Sequence, residues 1–206
     1  MMNPEGTPLI LIATNNKGKV EELQALLKDT AMELITPSEI NLDLDVIEDG
    51  STYAENATKK AIAFSQASGL ISLADDSGLE IDALDGAPGL YSARYGSTTG
   101  EKLSDAERRK YLLQQLQAKP RPWIARFHAT IAIAIPNGET YLAEGFCEGE
   151  VIPEERGTGG FGYDPIFLLR ERGKTMAELS MDEKNRLSHR ARAVMKAKPV
   201  LTGIVR

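Results

Sequence analysis

The residues best placed to do chemistry are two adjacent carboxylates in the run Ala74-Asp75-Asp76-Ser77-Gly78. An apolar stretch, Leu70-Ile71-Ser72-Leu73-Ala74, leads into them and a glycine follows. That pattern predicts a buried strand delivering charge into a glycine turn at its carboxyl end. Successive strand side chains point to opposite faces, so the two carboxylates are expected to do different jobs, and only one need face a ligand. The same four residues could instead be a polar strand end capped by an Asx turn. Four further groups extend the set: lysines on two other segments (Lys19, Lys60), a second loop carboxylate (Glu48), an aromatic glycine-rich loop, and His189-Arg190 near the end of the chain. Phosphate hydrolysis asks for charge neutralisation, a metal that positions oxygens, and an activated water. Mg²⁺ takes one or two protein carboxylates and otherwise phosphate and water, and lysines meet phosphate oxygens as point charges. A carboxylate beside the metal can accept a proton from water. The parts suit a Mg²⁺-dependent nucleotide hydrolase and leave open which bond breaks. Direct attack by an aspartate to form an aspartyl phosphate is a second chemistry, but the haloacid-dehalogenase type places its two aspartates one residue apart, followed by Thr or Val, which this run does not match. A nucleotide sensor without catalysis would use the same cradle.

These groups need elements to hold them. Residues 8–13 form a continuous apolar run, read as a strand buried on both faces. It passes into Thr14-Asn15-Asn16-Lys17-Gly18-Lys19 and then into a helix with Val20, Leu23, Leu26 and Leu27 on one stripe. Strand, polar loop, helix is a geometry that holds anions on backbone N–H groups. Thr14 and Asn16 can donate to phosphate oxygens and Lys17 or Lys19 can supply charge. The loop is equally readable as an ordinary capped helix start, and it lacks the P-loop spacing. Residues 32–35 are a weak second strand, followed by an acidic loop from 41 to 50. Thr52 then opens a helix with Tyr53, Ala57, Ala61 and Phe64 on its stripe. Lys60 falls within about 20° of that stripe's edge and Lys59 lies far round toward solvent. Lys60 either snorkels or reaches a phosphate. Asn56, one turn earlier, shares its edge, and Glu48 could bring a carboxylate to the same place.

Beyond the carboxylate pair, residues 79–84 alternate like a strand, and Asp85-Gly86-Ala87-Pro88-Gly89 is turn chemistry. Arg94 is either a ligand contact or an ion-pair partner, the latter preferred. Residues 104–119 form an amphipathic helix whose charges suit a solvated face. Strands at 127–135 and 139–146 are joined by the hairpin signal Pro136-Asn137-Gly138. This hairpin serves as scaffold or as a dimerisation surface, and His128 within it reads as a packed polar side chain. Gly157-Thr158-Gly159-Gly160-Phe161-Gly162 spells G-x-G-x-x-G, but no apolar strand precedes it and Tyr163-Asp164-Pro165 stands where a helix should begin, so a dinucleotide fingerprint is rejected. The loop is either packed on aromatic anchors or presents a stacking face and a carboxylate to a planar ligand. Ser180-Met181-Asp182-Glu183 is a capping box. On a continuous helix from there, Lys184 and His189 would diverge by about 140°. For both to serve one ligand, the helix must break near Ser188, a good N-cap.

At 206 residues the chain suffices for one domain with one substantial core, which two lobes could share. A net charge of −6 argues against a nucleic-acid coat protein, while leaving room for a small anion held by placed cations. The single cysteine, Cys147, rules out an internal disulfide framework. With neither a membrane-length apolar run nor a signal-peptide pattern, a cytoplasmic location is expected.

Taken in order, these motifs resemble the inosine triphosphate pyrophosphatase family. The resemblance rests on Thr14-x-Asn16-x-x-Lys19 after a buried strand, Glu48, then Glu55-Asn56-Ala57 with Lys60, the Asp75-Asp76-Ser77-Gly78 run, residues 86–95, Phe161-Gly162-Tyr163-Asp164-Pro165, and Lys184 followed five residues later by His189-Arg190. It spans residue 9 to about residue 195. It implies an α/β fold with a long, strongly twisted mixed β-sheet, flanking helices and two lobes around a central active-site cleft. It further implies a homodimer, Mg²⁺, and hydrolysis of the non-standard nucleotides inosine, deoxyinosine and xanthosine triphosphate to monophosphate and pyrophosphate, cleansing the nucleotide pool before incorporation into DNA or RNA. By resemblance Thr14, Asn15, Asn16, Lys17, Gly18, Lys19 and Lys60 hold phosphates. Glu48 and Asp76 bind metal, with Asp76 also the general base, and Ser77 hydrogen-bonds substrate. Phe161 stacks on the base, Gly162, Tyr163 and Asp164 shape its pocket, and Lys184, His189 and Arg190 read the 6-oxo edge. A donor-lined pocket rejects adenine, whose amino group leaves buried donors unpaired. One departure is Asn15, where many relatives have Gly; asparagine is the non-glycine residue that best accepts left-handed backbone.

Overall fold

β1 (Leu9–Ile12) lies between two parallel neighbours, β2 (Glu33–Ile35) and β3 (Ile71–Ile81). Helices α1 (Lys17–Leu27) and α2 (Tyr53–Ser68) make the two crossovers. Strand order β2-β1-β3 means that the chain leaves β1 to one side and returns on the other. Ligands of open α/β sheets bind at such a carboxyl end. This computed structural model describes residues 2–97, 103–136 and 138–204. Asn137 of the expected hairpin turn lies outside the described residues. The sheet is mixed and seven-stranded, in the order β2-β1-β3-β4-β5-β6-β7, with β4 (Trp123–Ala134), β5 (Thr140–Val151), β6 (Phe167–Leu169) and β7 (Lys174–Thr175). The β5–β6 and β6–β7 pairs are antiparallel. Helices α3 (Asp105–Leu116), α4 (Met181–Leu187) and α5 (His189–Ile204) complete an α/β fold.

The backbone divides into two compact units. One comprises Met1–Asp76, Ala129–Gly145 and His189–Arg206, the other Ser77–His128 and Phe146–Ser188. In the first, strand alternation builds a core on each face of the sheet. Ile10, Ile12, Leu73, Ile131 and Ile133 pack with Leu23 and Leu27 of α1 and Val194 and Leu201 of α5. Leu11, Ala13, Ala74, Ala132 and Ala134 pack with Ala57, Ala61 and Phe64 of α2. The small residues on the α2 side let that helix sit close to the strands. In the core of the second unit Leu79, Ile81, Phe127, Cys147 and Val151 of the strands meet Leu112 and Leu116 of α3, with Tyr163, Phe167 and Met176.

Helix starts follow their caps. Asn16 accepts from the Lys19 amide and Thr52 from the Glu55 amide, while Ser104 and Ser180 each form a reciprocal capping box with a glutamate three residues on. The predicted break holds: α4 stops at Leu187, Ser188 is extended (φ −64°, ψ 157°), and α5 begins at His189.

Two expectations are corrected. Asp75-Asp76-Ser77-Gly78 is no glycine turn, because β3 continues through it to Ile81. The strand that ends is β1, whose pairing closes at Ile12 opposite Leu73, so the carboxylates stand just past β1's carboxyl end in mid-β3. β5 also runs beyond the predicted residue 146 to Val151. Cys147, Gly149 and Val151 alternate inward against Glu148 and Glu150, a period-two pattern that the charges obscure.

Candidate active site

In the first unit the alternation of β3 sorts the two carboxylates between helices. Asp75 shares the face of Leu73 and meets α1 and α5; Asp76 shares the face of Ala74 and meets α2. Asp75 is fully buried. Its Oδ1 lies 2.6 Å from Lys19 Nζ, and Arg190 donates Nε to Oδ2 at 3.0 Å and Nη2 to Oδ1 at 3.3 Å. Arg190 Nη1 pairs with Glu22 of α1. Burial pushes the Asp75 carboxyl up, but Arg190 and Lys19 more than offset it and hold the group well below the usual carboxylate range. Burial likewise opposes the charge on Arg190, which Asp75 and Glu22 overcome. Burial lowers Lys19, with Lys60 and Arg190 adding to the effect and Asp75 opposing it.

Lys19 and Lys60 converge on one atom, donating to the Asp75 carbonyl oxygen at 3.2 Å and 2.9 Å. Lys60 is buried and pairs with Glu48 at 2.5 Å, while Lys59 is exposed and pairs with Asp49, as the helical wheel predicts. Asn56 accepts from the Gly50 amide at 2.8 Å and hydrogen-bonds Asp76. A Cβ at Gly50 would come within 2.7 Å of Asn56 Oδ1, so only glycine lets the segment carrying Glu48 lie this close to α2. Burial raises the Asp76 pKa; Lys60 and Lys19 offset part of the rise and Glu48 adds to it. Two carboxylates that repel each other beside two ammonium groups fit a hard divalent cation completed by phosphate oxygens and water. Among the described residues no group of three or more His, Cys, Asp or Glu could hold a metal by itself.

The β1–α1 loop stands at the end of β1. Thr14 Oγ1 accepts from the Asn16 amide at 3.2 Å, Asn15, Asn16 and Lys17 are exposed, and Gly18 is half-buried in the first turn of α1. The backbone at Asn15 makes no left-handed demand; Asn41 and Asp85 are the non-glycine residues with positive φ among those described. His189 opens α5 and is buried.

In the second unit, half-buried Ser77 stands on β3, and the aromatic loop of residues 157–164 is followed by no α-helix, only by a 3-10 turn, Asp164–Ile166, that leads into β6. Asp164 Oδ2 accepts from the Phe161 amide at 2.9 Å and from Lys184 Nζ at 2.6 Å, both side chains being buried. Lys184 Nζ also lies 5.2 Å from the centroid of the Phe161 ring. Gly160 takes φ +70°, and a Cβ there would strike the Asp164 carboxylate. Tyr163 donates to the Ser92 carbonyl at 3.0 Å, and burial pushes its hydroxyl pKa far up, so it stays protonated. Lys184 therefore sits with Asp164 and Phe161, while the guanidinium of Arg190 is held by Asp75 and Glu22.

Several participants went unread in the sequence. Glu22 is a buried carboxylate beside the apolar stripe of α1, and one charge there was the available signal. On α3 the solvated-face expectation fails at Arg108 and Arg109, and Asp105, though its side chain is 42% exposed, also engages the loop. Asp105 accepts from the Gly162 amide at 2.6 Å, Arg109 donates to the Gly162 carbonyl at 2.8 Å, and Arg108 pairs with Asp105 and hydrogen-bonds Tyr163. No periodicity signals an inward turn of charges whose partners lie about 50 residues away. His128 is packed, its ring stacked on Phe146 at 4.1 Å between centroids and 3.4 Å from Glu80. The Arg94 guanidinium lies 5.1 Å from the Tyr91 ring centroid.

The profile described as Ham1 family matches residues 10–200. A protein of Desulforamulus reducens named dITP/XTP pyrophosphatase is 49% identical over 193 residues, covering 93% of this chain and 94% of that one. Among solved structures, a HAM1 protein from Coxiella burnetii superposes with a TM-score of 0.84 at 40% identity, covering 95% of this chain and 99% of its own. The Staphylococcus aureus Ham1 protein gives 0.82 at 40% identity, covering 95% and 98%.

Proposed function

The chain belongs to the Ham1 family, and from that premise we propose that it is a nucleoside triphosphate pyrophosphatase that hydrolyses deoxyinosine, inosine and xanthosine triphosphates to the monophosphate and pyrophosphate. The observation that carries the reading is the convergence of Lys19 and Lys60 on the Asp75 carbonyl, with Asp76 and Glu48 beside them. Two ammonium groups neutralise a polyphosphate, and two carboxylates are the share of a Mg²⁺ shell that a protein normally supplies. Asp76 and Glu48 would hold Mg²⁺, which when bound neutralises developing charge on the phosphate oxygens. Asp76, its pKa raised by burial, is a better proton acceptor than an exposed carboxylate and serves as general base toward water. Thr14, Asn15, Asn16, Lys17 and Gly18 add hydrogen bonds and charge to the phosphates, and Ser77 hydrogen-bonds the substrate.

The base is the task of the aromatic loop. Phe161 stacks on it, Gly162, Tyr163 and Asp164 shape the pocket, and Lys184 and His189 donate to the 6-oxo edge. The guanidinium of Arg190, expected to read the same edge, orders Asp75 through Nε and Nη2. A homodimer in the cytoplasm is part of the same reading; no described helix is long and apolar enough to cross a membrane.

A turnover panel of inosine, xanthosine, guanosine and adenosine triphosphates with Mg²⁺ tests it. Pyrophosphate release from the first and second only is the expected result, and equal rates on all four would refute base reading. Hydrolysis in ¹⁸O-labelled water should label the monophosphate. Label in pyrophosphate instead would move the attack from the α- to the β-phosphorus.

A further inference from the structure

We propose that Asp105 and Arg109, one turn apart on α3, are positioning residues for recognition of the base: they grip Gly162 and so set how the adjacent Phe161 presents its ring. The inference rests on reading residues 157–164 as the base-binding loop. Gly162 N–H donates to Asp105 Oδ2 at 2.6 Å and its carbonyl accepts from Arg109 Nη1 at 2.8 Å, so both polar backbone groups of one residue are held by charged side chains. Charge-assisted bonds of this kind are the stronger ones. Neither grip is loose. Arg109 is fixed by a two-pronged fork onto Glu155, Nε to Oε1 and Nη2 to Oε2 both at 2.9 Å, which leaves Nη1 to reach Gly162. The other oxygen of Asp105 meets Arg108, and Arg108 Nη1 donates to the Leu103 carbonyl at 2.6 Å.

The loop needs such a grip. Glycines 157, 159, 160 and 162 give it more conformational freedom than any other stretch of this length in the chain, and Gly162 itself has φ +61°. On the far side of Phe161 the Asp164 carboxylate already holds the Phe161 amide at 2.9 Å. The α3 pair supplies the second anchor, so the ring is ordered before a base arrives and binding need not bear that entropy. Losing the anchor should weaken binding of a base and spare the chemical step. Neither side chain touches the reacting phosphates in this account, so both are positioning residues and not catalytic ones.

The test uses the full chain with inosine triphosphate and three variants, Arg109→Ala, Asp105→Ala and Asp105→Asn, alongside Phe161→Ala. The alanine variants should raise KM roughly tenfold while kcat stays within about threefold. Hydrogen–deuterium exchange across residues 157–164 should speed up in both. Inhibition by inorganic tripolyphosphate, which has no base, should not change. Asp105→Asn keeps an acceptor for the Gly162 amide and should recover most of the lost affinity. Melting temperatures report whether each variant is folded, and Arg109→Ala stands in should Asp105→Ala fail to fold. Unchanged KM in both alanine variants while Phe161→Ala raises it would overturn the grip alone. Unchanged KM in Phe161→Ala would sink the base reading and with it the role assigned here. A parallel loss of kcat and of tripolyphosphate inhibition would show general damage and also overturn the proposal.

Discussion

Arg190 and Asp75 stand 115 positions apart in the chain and meet through two bonds, Nε to Oδ2 at 3.0 Å and Nη2 to Oδ1 at 3.3 Å, with both side chains buried. The pair ties the first residues of α5 to the middle of β3, and Glu22 ties both to α1. Removing the guanidinium leaves two carboxylates buried without their main counter-charge. Arg190→Leu is therefore expected to lower the unfolding free energy by about 3–5 kcal/mol. Urea unfolding at pH 7 measures this, and a loss below about 1 kcal/mol would contradict the buried-pair account.

Acid should act through Asp75. Its folded pKa is depressed because Arg190 and Lys19 outweigh burial, so the unfolded chain binds the proton more readily. The stabilisation is fully present above the unfolded carboxylate pKa, about 3.9, and is lost as pH falls through the depressed folded value. Stability should accordingly decline with acidification below about pH 4, and the decline should be shallower in Asp75→Asn. Equal slopes for the two proteins would place the acid sensitivity elsewhere.

Asp76 has the opposite sign. Burial raises its pKa, so its charge at neutral pH costs the fold stability instead of adding to it. Asp76→Asn should melt at the same or a higher temperature than the parent while kcat falls by about 10²- to 10⁴-fold, the range of a general base. Calorimetry and single-substrate kinetics on one preparation decide the matter, and retention of substantial turnover rejects the assignment.

Lys59 and Lys60 are neighbours with different fates. Lys60→Met should lower kcat/KM by about 10- to 100-fold, as expected for one charged hydrogen bond to a phosphate. Lys59→Met removes a pair at an exposed surface and should leave both melting temperature and turnover nearly unchanged. Comparable losses in both would mean that the effect is net charge and not position.

Much of this was legible in the chain itself because it depends on neighbours within a few residues. The caps at Asn16, Thr52, Ser104 and Ser180, the facing of Lys60 over Lys59, and the break at Ser188 each follow from local hydrogen-bonding chemistry or helical period. The divergence of Asp75 and Asp76 follows from the two-residue repeat of a strand, even though the strand was expected to stop there.

What local periodicity does not carry is the identity of distant partners. Asp75 could have ordered only its own backbone; tertiary packing gave it Arg190 and Lys19 instead. Charges on α3 read as a solvated face, since Asp105 and Arg109 have the spacing of any surface helix, yet both turn to Gly162. β3 crosses the Asp-Asp-Ser-Gly run because sheet pairing outweighs the turn preference of four residues. Sequence by itself determined which groups could do chemistry and which local element holds each. Only the tertiary structure decided which charge meets which, because burial and pairing across more than a hundred residues depend on the assembled sheet and not on any window of the chain.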